Sequence, residues 1–140
     1  MYTQLDTYFQ YDFILFGLSS NSKEYKLAWS LNQTCCCHFI KVPDITLKIS
    51  ENSVASFSHF YYRQGIQTWR LLRNQAVPEG TETVQLLPEL MQWNFLLRLD
   101  DPGNHICLKQ LGQNLKITPD INSFSQISVD LLPNKDNLLF

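Results

Sequence analysis

Apolar positions recur with two different periods along this chain, and the period assigns the elements. Residues 12–18 are apolar at both parities, with Ile14, Phe16 and Leu18 on one side and Phe13 and Leu15 on the other. That spacing predicts a central strand covered on both faces. From Asn21 the period lengthens. Asn21 and Glu24 have capping-box spacing, and Tyr25, Leu27, Ala28, Trp29 and Leu31 form a wide apolar stripe on a helix that runs to about Gln33. Lys23, Glu24 and Lys26 fall towards solvent, and Trp29 is expected in the interface between helix and sheet.

Period two returns at 39–42 and 45–49, interrupted by Pro43-Asp44, and again at 54–62 and 66–74. Arg63-Gln64-Gly65 separates the last two runs, a hairpin signal with glycine available for positive φ. Residues 77–83 read as a polar connection, and Leu87-Pro88-Glu89 stops any strand. Trp93, Phe95, Leu97 and Leu99 then alternate with Asn94 and Arg98 opposite. Asp101-Pro102 reads as the start of a second helix, whose apolar side is Ile106, Cys107, Leu108, Leu111 and Leu115. Ile127, Val129 and Leu131 alternate as a last strand, and Leu138-Leu139-Phe140 is expected to dock as an apolar tail. The order β-α-β-β-β-β-α-β predicts an α+β fold: a largely antiparallel sheet of five to six strands with two helices packed on one face, in one domain spanning residues 1–140.

Composition narrows the class. The chain has 140 residues, 13% aromatic and only 17% charged, which excludes the disordered signature and suffices for a core without staples. A net charge of -2 gives no bulk attraction to nucleic acid or anionic lipid. The longest apolar run near the start is too short for a secretory or membrane-spanning segment, so a cytoplasmic protein is expected, with Cys35, Cys36, Cys37 and Cys107 as free thiols. Adjacent cysteines bridge only with strain.

Candidate chemistry is mostly excluded by spacing. Cys35, Cys37, His38, His105 and Cys107 hold potential metal ligands, but neither the Cys-x-Cys nor the His-x-Cys pair has the separation structural zinc uses. Cys37 and His38 are neighbours that point apart in an extended segment, which disfavours an activated thiol. The five glycines never lie closer than nine residues, so no phosphate cradle forms. The acidic pairs Asp100-Asp101 and Glu79 with Glu82 belong to polar connections. No catalytic residue, cofactor or metal is expected, and the chain reads as a binding protein rather than an enzyme.

One stretch departs from the average. The 27 residues between Glu51 and Glu79 contain no acid; they carry +3, which leaves -5 on the rest of the chain. Arginines and aromatic rings interleave there, and Tyr61, Tyr62, Arg63, Trp69, Arg70 and Arg73 are the candidate binding residues. The competing reading is structural, because a half-buried hairpin places about half of its rings in the core and lays Arg stems over apolar surface. The expected partner is another protein or a second copy in a homodimer, with protein contact or self-association as the function. The alternative is an RNA-associated factor using the basic aromatic hairpin.

The stretch Leu87-Pro88-Glu89-Leu90-Met91-Gln92-Trp93-Asn94-Phe95 resembles the bacterial family known by the motif IPExxxVDY. Pro88 and Glu89 match it directly, while Leu87, Trp93, Asn94 and Phe95 stand at its Ile, Val, Asp and Tyr positions. Asp12-Phe13, Gly17-Leu18-Ser19-Ser20, Tyr25-Lys26-Leu27 and Trp29-Ser30-Leu31-Asn32 are similar to the family's opening strand and helix, and Asn137-Leu138-Leu139-Phe140 to its tail. The resemblance implies a bacterial cytoplasmic setting and brings no activity or catalytic residue. Asn94, in place of an acid, departs from the pattern.

Overall fold

The computed structural model describes residues 11–76 and 84–140, so the connection expected at 77–83 lies outside the described residues. Eight principal elements follow in the expected order: β1 (Ile14–Ser19), α1 (Glu24–Thr34), β2 (Ile40–Ser50), β3 (Ser53–Gln64), β4 (Gln67–Arg73), β5 (Phe95–Asp100), α2 (Leu108–Ile117) and β6 (Ser123–Ile127). The strands form one six-stranded sheet ordered β2-β3-β4-β5-β1-β6, and every neighbouring pair is antiparallel. No helix among the described residues is long and apolar enough to cross a membrane.

Both helices lie on one face. Leu27, Ala28 and Leu31 of α1 and Leu111 and Leu115 of α2 pack on Phe16, Leu71, Leu97 and other strand residues of one parity. The opposite parity, including Leu15, Phe57, Leu72 and Leu96, is covered by Leu86, Leu87, Leu90, Val129, Leu132 and Leu138 from loops and short 3-10 turns. This second cover is why β1, β4 and β5 are apolar at both parities, and each fully buried leucine contributes about 1.5–3 kcal/mol.

The β3–β4 hairpin forms as expected: Gln64 pairs with Gln67 across a two-residue turn, and Gly65 takes φ +61° at the first central position. Pro43 interrupts β2 without ending it, because the register shift between Val42 and Ile45 absorbs its missing N–H. The two sheet edges differ. The β2 edge carries Pro43, that bulge, and Lys41, Asp44 and Lys48; the β6 edge reads Ser-Phe-Ser-Gln-Ile, with no charge, proline or bulge.

Four local expectations are corrected. Trp29 is not in the interface: it is 61% exposed and Tyr25 is 65% exposed. Ser30 takes that flank of α1 instead, since it is buried and donates to the Asp120 carboxylate, while Thr34 Oγ1 meets Thr118 Oγ1 at 2.7 Å. The capping box is absent; Lys23 occupies the N-cap without a side-chain cap, and Glu24 Oε1 accepts from Ser58 Oγ. The second helix starts at Leu108 rather than near Asp101, because Asp101 Oδ2 accepts from the Ile106 N–H and closes a loop in which Asn104 takes φ +53°. The last strand ends at Ile127, after which Val129–Leu131 winds into a 3-10 turn that buries Val129 and leaves Leu131 exposed. The tail docks through Leu138, which is fully buried, while Leu139 and Phe140 stay partly exposed.

Candidate functional site

Strand alternation sorts the six candidate binding residues. In β3 and β4, Tyr62 pairs with Trp69, and Tyr61 with Arg70. Tyr62 and Trp69 face the helices, where each ring meets Phe39 edge-on with centroids 6.4 and 6.5 Å apart. Trp69 is a core residue there. Arg63 lies exposed beside the turn, its Nε donating to the Gly65 carbonyl at 2.8 Å. Arg73 lines an open depression of about 590 Å³ at the start of α1, with Ser20, Lys23, Glu24 and Asn94. The six residues therefore do not form one patch, since period two divides them between the two faces of the sheet.

On the face away from the helices the chain builds a layered cluster. Arg70 and Arg98 sit directly opposite each other on β4 and β5. The Arg70 guanidinium lies over the Tyr61 ring at 4.8 Å and the Phe140 ring at 5.3 Å. Arg98 lies over Phe13 at 4.1 Å and over the other side of the cluster at Phe140, 5.6 Å away. Arg98 bonds through each of its nitrogens, two bonds to Asp100 at 3.0 and 3.1 Å and a third to the Leu138 carbonyl. Arg70 has no carboxylate partner among the described residues; its Nη1 donates to His59 Nε2 at 3.0 Å. Arginine has no acceptor, so His59 accepts at Nε2 and carries its proton on Nδ1. Burial first, then the charges of Arg70, Lys41 and Arg98, hold the His59 pKa down at about 4, so the ring is neutral at physiological pH. Sequence reasoning named Tyr61 and Arg70 but missed Arg98 and Phe140, which join only through strand order and the returning tail.

A second surface lies on α1. Tyr25 and Trp29, one turn apart, point away from the core, and Lys26 beside them reaches Asp120 at 3.8 Å. Both aromatics were visible in the sequence, but the stripe that held them spanned more of the helix than the sheet covers.

Nucleophilic and metal chemistry find little support. All four cysteines are unpaired. Burial pushes the Cys37 thiol up to about 12 and raises that of Cys35, the reverse of an activated nucleophile. Among the described residues no three histidine, cysteine or acidic side chains gather as a metal site. Asp120 is held below the usual carboxylate range by hydrogen bonds from Ser30 and Ser22, and serves to tie α1 to the loop before β6.

The 87–95 stretch is structural. Asn74, completely buried, donates through Nδ2 to the carbonyls of Leu87, Leu90 and Trp93 at 3.0–3.3 Å and accepts the Leu87 N–H at 2.7 Å. Pro88 opens the 3-10 turn Pro88–Leu90, and Glu89 accepts two bonds from Asn134. Asn94 pairs its amide with both backbone groups of Ser20, at 3.0 and 2.5 Å. A carboxylate at position 94 has no donor for the Ser20 carbonyl. No family model, curated protein or solved structure matches this chain.

Proposed function

We propose that this chain is a non-enzymatic cytoplasmic binding protein that makes protein-protein contacts, or associates with itself, through the outer face of α1. One observation carries the reading: Tyr25 and Trp29 stand about two-thirds exposed, one turn apart. Each ring left in water forgoes about 1.5–3 kcal/mol of burial, and Trp and Tyr are the side chains that most often dominate protein interfaces. Lys23, Glu24 and Lys26 supply the charged rim such a patch needs. The unpaired thiols fit a reducing compartment.

The test compares the wild-type chain with the double variant Tyr25→Ser, Trp29→Ser in sedimentation and in capture from cells of its source. Loss of a captured protein, or of self-association, in the variant supports the reading, provided that nuclease and raised salt leave the wild-type interaction intact. Capture abolished by nuclease, or unchanged in the variant, defeats it. Nuclease sensitivity would instead favour RNA contact, whose phosphate interactions also weaken steeply with salt.

A further inference from the structure

We propose that Arg70 is a binding site for a single carboxylate presented by a protein partner, on the sheet face opposite α1 and separate from the Tyr25 and Trp29 surface. The argument begins with the contrast between two arginines placed opposite each other on adjacent strands. Like charges at such positions repel, and a partly buried cation is stable only when its charge and its donors are answered. Arg98 is answered at all three nitrogens, Nε and Nη2 by the Asp100 carboxylate and Nη1 by the Leu138 carbonyl. Arg70 is answered at one nitrogen only, by a neutral imidazole. Its remaining nitrogens have no partner among the described residues and are not sealed from solvent. Arg70 and Arg98 stand beside a single carboxylate, Asp100, and its two bonds go to Arg98.

The rest of the cluster fixes where an anion would sit. The Tyr61 and Phe140 rings lie 4.8 and 5.3 Å from the guanidinium, and His59 Nε2 accepts from Nη1. The nitrogens that His59 does not take are unbonded among the described residues, and an arginine edge matches the two oxygens of a carboxylate. Little ordering is left to do at binding, because the side chain is already in place. A polyanion is a poorer fit. Nucleic acid rewards a track of several cations, whereas here a carboxylate, Asp100, lies beside the arginine pair.

The full chain, labelled with nitrogen-15, tests this directly through the Nε–H signal of Arg70 during titration with a short end-blocked peptide that carries one glutamate. The expected result is a saturable shift of that signal. Affinity should fall about tenfold or more in Arg70→Gln, the size expected when a charge-assisted paired contact is lost. Arg70→Lys should fall between the two, as it keeps the charge and loses the fork, while Arg63→Gln should behave as wild type. Absence of a saturable shift, equal affinity in Arg70→Gln, or tighter engagement of the same signal by a short oligouridine would overturn the proposal. Should Arg70→Gln fail to fold, the wild-type signal and the Arg70→Lys comparison still decide it. Failure here leaves the α1 reading untouched, since the two surfaces share no residue.

Discussion

Asn74 organises more of the backbone than any other described side chain. Expected as the last residue of the strand run 66–74, it lies just past β4 and is the buried hub to which residues 87–93 return. Asn74→Asp keeps an acceptor for the Leu87 N–H but turns a charge on three carbonyl oxygens. We expect a loss of about 3 kcal/mol or more in urea unfolding, a large share of the stability of a small domain. Asn74→Ala should cost somewhat less, because it leaves unmet groups without adding a charge. His59 makes the second residue-scale prediction. Its pKa lies near 4 when folded against an ordinary 6.5, so between these values the unfolded chain takes up the proton first. The contribution of neutral His59 is fully present above about 6.5 and is lost as pH falls towards 4. Urea midpoints measured across that window should drop on acidification, and the drop should shrink in His59→Gln; equal slopes would remove His59 as the cause.

At the scale of elements, strands were more legible than helices. Alternation located β1, β3, β4 and β5 nearly to the residue, because a strand's two faces are separated cleanly by parity. A helical stripe has softer margins. Five apolar residues on α1 were consistent with a wide buried face, but the sheet covers only Leu27, Ala28 and Leu31, and the bond from Ser30 to Asp120 sets the rotation. That bond spans 90 residues and leaves no local trace in the sequence. The delayed start of α2 has the same origin, since Asp101 caps a loop rather than a helix. A direct check follows for α1: Trp29→Ala should change the folding free energy by no more than about 0.5 kcal/mol, as for other surface positions. A loss of several kcal/mol would put Trp29 back in the core. The candidate site was half legible for similar reasons. Composition pointed to the hairpin, but parity splits its residues between faces, and the partners that complete the Arg70 cluster come from β5 and the tail.

For the whole molecule, the sheet acts as a partition. The α1 aromatics and the Arg70 cluster lie on opposite sides of it. The two ends of the sheet are also unequal. A free strand edge is a template for any extended chain, and proteins blunt it with prolines, bulges and charges. The β2 end carries all three, and among the described residues the β6 end carries none. Ordered misassembly of this protein under heat or crowding is therefore expected to be polar, with growth seeded at Ser123–Ile127 while the opposite end stays inert.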